Sequence, residues 1–287
     1  MWVTLSLLTA FSLATSDAIT KKVLRSRDEY FVAWIRLLFA LPVLVTSLFF
    51  IEIPPLDRTF WLATVCALPL EITALILYTK ALKNSPLSVT VPFLALTPLF
   101  LIVTSNLILG ESVSVSGAAG ILLMAIGAYT LNLHKARHAL LEPIRAILKE
   151  KGSIMMIGVA FIYSITSSLG KMAIEHSSPL FFGSFYFILV TILFTPIAIK
   201  MNNGNLSIKR KEIASFVFIG FTYSIMIVCH MLAMSLVNVA YMISVKRTSL
   251  LFGIFYGHFL FREERIAEKI AGGIIMLAGF IVIVIWN

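Results

Sequence analysis

ESVSVSGAAGILLMAIGAYTL, residues Glu111 to Leu131, has a counterpart near the end of the chain in EERIAEKIAGGIIMLAGFIVI, residues Glu263 to Ile283. Aligning the two leading glutamates also aligns Gly120 with Gly272, Met124 with Met276 and Gly127 with Gly279. The same offset pairs Ala81 with Ala233 and Phe100 with Phe252. The sequence therefore predicts two copies of one structural unit.

A nearly identical offset relates the beginnings of the two copies. It pairs Ala10 with Ala160, Phe11 with Phe161, Lys21 with Lys171 and Phe31 with Phe181. Because the order of the matches is kept throughout, we predict a first repeat over residues 1–133 and a second over 153–287. The stretch between them, residues 134–152, reads HKARHALLEPIRAILKEKG and is typical of a short amphipathic linker.

Composition places both repeats in a membrane. Of the 287 residues, 59% are hydrophobic and only 13% are charged, about half the charge content of a soluble domain. Mean hydropathy is +0.97. Apolar runs long enough to cross a bilayer as helices of about 20 residues can be marked off ten times, which predicts an all-α membrane protein. The predicted spans are 2–21, 30–51, 60–80, 87–109, 113–132, 153–174, 179–199, 213–235, 237–261 and 266–286.

Each repeat holds five predicted spans, and because five is odd the two repeats must cross the membrane in opposite directions. The loop charges agree, since nearly all loop Lys and Arg residues lie in loops 1–2 and 3–4, the linker, and loops 7–8 and 9–10. The positive-inside rule makes that side cytoplasmic, so both termini are predicted to lie outside. We predict a multi-pass protein of the cell (inner) membrane. The net charge of +9 needs no nucleic-acid partner.

Several other classes of protein are disfavoured. The two cysteines, Cys66 and Cys229, lie inside predicted spans without metal-ligand spacing, so we expect packing residues, with no cofactor and no metal. No phosphate-binding loop for ATP is present. The first segment lacks a basic leader and runs into a span followed by Lys21 and Lys22, which predicts an uncleaved first helix.

Residues Ala81 to Leu131 resemble the helix 3–5 signature of the drug/metabolite transporter superfamily, EamA type. The shared features are an Ala-Leu pair, a Pro-interrupted fourth helix, a Glu after it and a Gly-spaced fifth helix. FLFREERIAEKIAGGIIMLAGFIVIVIW, residues 259–286, repeats the end of this pattern. The resemblance implies a ten-helix, inverted-repeat secondary transporter and not an enzyme. Helices 1–4 and 6–9 would surround a central site, with helices 5 and 10 as a peripheral scaffold.

Lys246 and Arg247 stand side by side inside the ninth predicted span. Each ionisable residue at mid-span costs about 2.5–3.5 kcal/mol on insertion scales, so we expect the pair to face a cavity or a partner. The repeat offset matches them to Leu94 and Ala95, which are apolar. Their natural ligand is a carboxylate or phosphate, and the phosphate-translocator branch of the superfamily is similar in using a Lys-Arg pair. Alternatively, they only neutralise internal carboxylates.

Two acidic residues are the candidate charge partners. Glu71, near the middle of span 3, and Asp17, in the inner half of span 1, could pair with the cations, bind a substrate amine or carry a coupling proton. Further candidates for lining the site are Tyr78, Tyr223, His230, Ser244 and Ser249.

Other polar and helix-breaking residues are expected to have structural roles. Arg36 is predicted to reach the cytoplasmic surface along its own stem. Glu111 and Glu263 are predicted to cap or pair near the membrane interface. Pro92 and Pro98 each remove a backbone donor and are predicted to interrupt helix 4, where a packing kink and a binding role remain alternatives.

The sequence therefore predicts a secondary transporter that moves a small anionic or zwitterionic metabolite by alternating access, through proton coupling or exchange. The candidate substrates are an amino acid, an organic acid or an organic phosphate. The alternative is a membrane-embedded enzyme or binding protein for a lipid-linked phosphate. The predicted partners are a small molecule and the lipid bilayer, and monomer and homodimer both remain open.

Overall fold

The computed structural model describes residues 1–85, 90–130, 151–261 and 266–285, and every regular element within these ranges is helical. The all-α prediction is confirmed for this part of the chain. In chain order the α-helices are α1 (Trp2–Val23), α2 (Glu29–Leu38), α3 (Leu41–Leu48), α4 (Arg58–Asn84), α5 (Thr97–Leu109), α6 (Val115–Thr130), α7 (Lys151–Glu175), α8 (Pro179–Met201), α9 (Ile213–Met234), α10 (Val239–Lys246), α11 (Ser249–Phe261) and α12 (Ile266–Ile285). Two 3-10 segments, Val91–Leu96 and Arg210–Glu212, precede α5 and α9.

Seven helical segments in the described ranges are long and apolar enough to cross a membrane. These segments are Trp2–Val23, Glu29–Leu48, Arg58–Asn84, Val91–Leu109, Lys151–Glu175, Pro179–Met201 and Arg210–Met234. The shorter apolar helices Val115–Thr130 and Ala271–Ile285 fall at the fifth and tenth predicted spans. The ninth predicted span is divided between α10 and α11.

Two of the predicted spans, 2 and 9, each consist of two helices in the structure. Span 2 breaks between α2 and α3, where Pro42 occupies the first turn of α3 and has no N–H to donate. Span 9 breaks at Arg247 and Thr248, where short turns replace the regular pattern, because the N–H of Thr248 donates to the carbonyl of Val245 at 3.0 Å. The Thr248 hydroxyl donates to the same carbonyl at 2.8 Å.

The predicted interruption of span 4 is confirmed. Pro92 lies in the 3-10 segment Val91–Leu96, and Pro98 lies in the first turn of α5. The repeat offset matches Lys246 and Arg247 to Leu94 and Ala95, which belong to this segment. The two repeats are thus interrupted at equivalent positions. Non-helical backbone at membrane depth is tolerated only where protein or a cavity surrounds it, so both interruptions are expected to face the interior of the bundle.

Helix packing follows the inverted repeat. Helix α1 packs along α9, and its equivalent α7 packs along α4, which is the equivalent of α9. Helix α10 of the second repeat contacts α1, and the 3-10 segment of the first repeat contacts α7 in the same way. Each of these contacts between the two repeats therefore has a counterpart in which the equivalent helices of the two repeats have changed places.

Helices α6 and α12 form a separate pair at one side of the bundle, and glycines bring their backbones together. A Cβ added at Gly127 would lie 2.6 Å from the Met276 nitrogen, and one added at Gly279 would lie 2.8 Å from the Met124 nitrogen. Each contact is the repeat equivalent of the other, because Gly127 corresponds to Gly279 and Met276 corresponds to Met124. The predicted close approach of helices 5 and 10 through glycine is confirmed.

Two sequence predictions fall outside the described residues. The linker 134–152 lies there except for its last two residues, which belong to α7, and so does Glu263. Glu111 is described, and it pairs and caps as predicted. It forms an ion pair with Lys171 at 2.5 Å and accepts a hydrogen bond from the Val239 N–H at 2.9 Å.

Candidate functional site

A cavity of about 90 Å³ lies between the two repeats and is lined by residues of both. This volume holds several water molecules or a small solute. Its walls are rich in aromatic and methionine side chains. The charged lining residues are Arg36, Glu71, Lys246 and Arg247. A largely apolar cavity with a few convergent charges is the usual form of a small-molecule site.

Arg247 links the interrupted spans 4 and 9. It follows the last residue of α10, and its Nη2 donates a 2.8 Å hydrogen bond to the Thr97 hydroxyl at the start of α5. Its side chain is buried, with 3% of the residue exposed. A cation at the carboxyl end of a helix is favoured by the helix dipole, which helps to hold Lys246 and Arg247 at this depth.

Lys246 also lines the cavity, and it is only partly buried. Within the described ranges, neither Lys246 nor Arg247 forms an ion pair with a carboxylate. The alternative in which both cations neutralise Asp17 and Glu71 by direct contact is therefore not the arrangement in this structure.

Asp17 is paired with a different cation. Its Oδ1 accepts a 2.8 Å hydrogen bond from Arg36 Nη1, and its Oδ2 accepts one from the Tyr78 hydroxyl. The Arg36 guanidinium also lies 4.0 Å from the centre of the Tyr223 ring, within the range of a cation–π contact. Helices α1, α2, α4 and α9 thereby meet in one buried cluster.

The prediction that Arg36 reaches the cytoplasmic surface is wrong. The residue is 4% exposed and lines the central cavity. Snorkelling is favoured only where the charge has no partner inside the protein. Asp17 lies one helix away and supplies that partner, so the guanidinium stays buried.

Glu71 faces the cavity from α4 without a direct ion pair among the described residues. Thr166 of α7 lines the cavity beside it, and the Lys246 ammonium interacts with its carboxyl electrostatically. The cavity lining and the cluster beside it therefore combine three cations with two carboxyl groups, of which only Asp17 is directly paired. This surplus of positive charge leaves room for an anionic ligand.

Four buried polar atoms in the cavity wall lack a hydrogen-bond partner in the part of the chain that the structure describes. They are Arg36 Nε, Tyr186 Oη, His230 Nδ1 and Arg247 Nε. An unsatisfied buried donor or acceptor costs about 1–3 kcal/mol, so such atoms are expected to be satisfied by water or by a ligand. Four of the six such atoms among the described residues thus lie around one cavity, which makes it the candidate binding site.

The structure brings most of the predicted site residues to this cavity. Glu71, Tyr78, Tyr223, His230, Lys246 and Arg247 line it, and Asp17 lies directly behind Arg36 and Tyr78. Ser244 and Ser249 are buried but do not line it. The Ser244 hydroxyl instead donates to the Ala240 carbonyl at 2.7 Å, as hydroxyls in membrane helices often do.

Sequence reasoning missed Arg36, Tyr186 and Thr97. The repeat alignment carries a signal for the first two, because the offset that pairs Lys21 with Lys171 also pairs Arg36 with Tyr186. Two polar residues at equivalent positions within apolar spans are a sign of a shared polar cavity. For Thr97 the proline-interrupted backbone was the only available signal, and it indicated the segment but not the side chain.

Comparison with known proteins gives a consistent result. A family model described as the EamA-like transporter family matches residues 1–133 and 150–285. A solved crystal structure is similar to the chain with a TM-score of 0.76 at 13% sequence identity, over 99% of each chain. At this identity the likeness shows the fold alone. No curated protein matches the chain.

Proposed function

We propose that the chain is a secondary transporter for an anionic or zwitterionic metabolite. The premise is that the chain belongs to the EamA-like transporter family and is a membrane transporter of small molecules. Its architecture is that of an all-α membrane protein with two inverted five-helix repeats. The single observation that carries the proposal is the cationic pair Lys246 and Arg247, which faces the central cavity without a carboxylate partner among the described residues.

The chemistry of the pair supports an anionic group on the substrate. The Arg247 guanidinium is held by Thr97 through one nitrogen, while its Nε has no partner in the described ranges. Arginine offers a planar fork that matches carboxylate or phosphate, and lysine adds a mobile point charge. One carboxylate or phosphate between the two side chains would supply the direct anionic partner that neither has among the described residues.

A second polar group on the substrate is supported by Glu71 and its surroundings. The carboxyl lines the same cavity as Lys246 and interacts with Thr166. It can receive a substrate amine, which favours a zwitterion, or it can carry a coupling proton while the substrate is a simple anion.

Alternating access is supported by the inverted repeat and by the two interrupted spans that meet at the Arg247–Thr97 hydrogen bond. In transporters of this kind the two halves rock around a site near the membrane midplane. We propose that the linker is cytoplasmic and both termini are outside, in a cell (inner) membrane, because the loop charges follow the positive-inside rule.

Uptake into proteoliposomes tests the proposal. Purified wild type is screened with labelled amino acids, organic acids and sugar phosphates, beside Lys246→Met and Arg247→Met. Lys83→Met is the matched control, because Lys83 pairs with Glu29 away from the cavity. We expect one anionic or zwitterionic class to be taken up by wild type and the control and lost in both cavity variants. Equal uptake of the same compounds by all four proteins would contradict the proposal.

Glu71→Gln separates proton coupling from amine binding. If Glu71 carries the coupling proton, the variant loses accumulation driven by a proton gradient but keeps exchange of internal for external substrate. If Glu71 binds a substrate amine, the variant loses both. Unchanged gradient-driven uptake would remove Glu71 from either role.

A further inference from the structure

A buried lysine ties together three segments at one end of the cavity. Lys171, near the end of α7, is 7% exposed, forms an ion pair with Glu111 at 2.5 Å and donates to the Val237 carbonyl at 2.7 Å. Glu111 follows α5, and Val237 lies in the loop before α10. One ammonium group therefore holds the end of α7 to the loops beside two interrupted spans.

Glu111 also fixes the half-helix that carries the cationic pair. Its second carboxylate oxygen accepts the Val239 N–H at 2.9 Å, which satisfies one of the unpaired N–H groups at the start of α10. Asn238 adds a 3.3 Å hydrogen bond to the Ser112 carbonyl. Because α10 has only eight residues, a shift of its first turn moves Lys246 at its other end.

The opposite end of the cavity has the corresponding contact in the first repeat. Lys21, near the end of α1, donates to the carbonyl oxygens of Leu82 and Ser85. Its distance to the Ser85 oxygen is 2.7 Å, the same as that from Lys171 to the Val237 oxygen. The repeat offsets pair Lys21 with Lys171 and Ser85 with Val237. The two lysines thus make the same contact in both copies of the unit.

Both contacts lie directly beyond the cavity wall. Leu82 follows the lining residue Tyr78 by one helical turn, and Lys21 follows Asp17 by one turn. In the second repeat, Lys171 follows the lining residue Gly170. The inverted topology puts the two lysines on opposite sides of the membrane.

We propose that Lys171 with Glu111, and Lys21 with the Leu82 and Ser85 carbonyls, are two latches that hold opposite ends of the cavity closed and position the substrate-binding segments. This inference rests on the alternating access proposed above. Opening toward one side requires release of the latch on that side while the other stays formed. The Lys171–Glu111 latch also sets the position of Lys246 through α10.

Thiol labelling tests the latches without knowledge of the substrate. Ser167 lines the cavity, and Ser167→Cys is a nearly isosteric reporter in a background with Cys66→Ser and Cys229→Ser. A membrane-impermeant maleimide is applied to intact cells for one face and to inverted vesicles for the other. Lys171→Met and Lys21→Met are introduced separately, with Lys83→Met as the control for loss of a lysine ion pair.

We expect each latch variant to label about tenfold faster from one face, a population shift equal to roughly 1.4 kcal/mol. The two variants must act from opposite faces, and the control must label as wild type does. Glu111→Gln keeps an acceptor for the Val239 N–H but loses the ion pair, and it should reproduce Lys171→Met. Lys171→Arg, which retains the charge, should restore slow labelling.

Acceleration from the same face by both lysine variants, or from neither face, would overturn the latches. A fold defect is recognised because Lys171→Arg would then fail to restore slow labelling and exposure would rise from both faces. Transport experiments on Lys246 and Arg247 are independent of this result. The anion site can therefore fail while the latches hold, and the latches can fail while the anion site holds.

For the positioning role, Glu111→Gln should raise KM for the anion identified by uptake more than it lowers kcat, because displaced α10 weakens binding by Lys246. Loss of folded protein alone would lower the apparent kcat and leave KM unchanged, which would contradict the positioning role.

Discussion

The α6–α12 pair is symmetric between the two repeats, whereas the central cavity is not. Between α6 and α12, Gly127 contacts Met276 and Gly279 contacts Met124, so equivalent residues make equivalent contacts. Around the cavity, equivalent positions carry different chemistry. The pairs are Asp17 with Ser167, Arg36 with Tyr186, Glu71 with Tyr223, Tyr78 with His230, Leu94 with Lys246 and Ala95 with Arg247.

The difference separates what holds the two halves together from what the halves bind. Close helix packing depends only on shape, and shape is satisfied by the same small residues in both copies. A ligand lacks the symmetry of the repeat, so its contacts must differ between copies. In and beside the cavity the first repeat contributes both carboxyl groups and the paired Arg36, and the second contributes Lys246 and Arg247.

The largest effect is expected from breaking a charged contact that exists in one repeat alone. Asp17→Ala leaves the buried Arg36 guanidinium unpaired, which should lower the free energy of unfolding by about 3–5 kcal/mol. Ser167→Ala, at the equivalent position, should change it by about 0.5 kcal/mol or less. SDS titration in mixed micelles measures the free energy of unfolding of both variants. Equal losses would show that the charged contact present in one repeat alone does not stabilise the protein.

The next effect concerns the symmetric region. Gly127→Ala and Gly279→Ala should each destabilise the protein by about 1–3 kcal/mol, because the added methyl groups meet backbone atoms of the facing helix. The two losses should be of similar size, because both added Cβ atoms would meet backbone of the facing helix at nearly the same distance. Gly158→Ala is the control, since nothing lies within 4 Å of its Cβ position. A large loss at one glycine alone would contradict the equivalence.

A smaller effect is expected where the two interruptions meet. Thr97→Val removes the hydroxyl that accepts from Arg247 and should cost about 1.5 kcal/mol of stability, because a hydrogen bond to a charged group is lost. The equivalent residue is Ser249, whose side chain does not line the cavity, and Ser249→Ala should be nearly neutral. Thermal unfolding in detergent measures both, and no loss of stability in Thr97→Val would show that Thr97 does not support Arg247.

Much of the architecture was predictable because it depends on patterns that one sequence displays. The lengths of the apolar runs predict the spans, and the matched glycines and glutamates predict the repeat. The break in span 9 was not predictable in this way, since neither Pro nor Gly lies at Arg247–Thr248. It depends on short backbone turns and on Thr97, which comes from a distant part of the chain.

The candidate site, like the fold, was predictable only in part. Lys246, Arg247 and Glu71 were predictable, because a charge at mid-span is costly unless it faces a cavity. The role of Arg36 was not, since its position near a helix end is compatible with snorkelling unless its partner Asp17 is known to lie beside it. Pairing between distant residues is fixed by helix packing, which single-sequence patterns do not encode.

The most direct test of the central claim compares the two interruptions within one transport experiment. Uptake of the anion identified in proteoliposomes is measured for Lys246→Met and Arg247→Met in the second repeat and for Leu94→Met and Ala95→Ser in the first. The cationic break is predicted to be indispensable, so that both second-repeat variants lose uptake while both first-repeat variants retain most of it. Retention of wild-type uptake by Lys246→Met and Arg247→Met, or an equal loss at Leu94 and Ala95, would contradict an anion site that depends on Lys246 and Arg247.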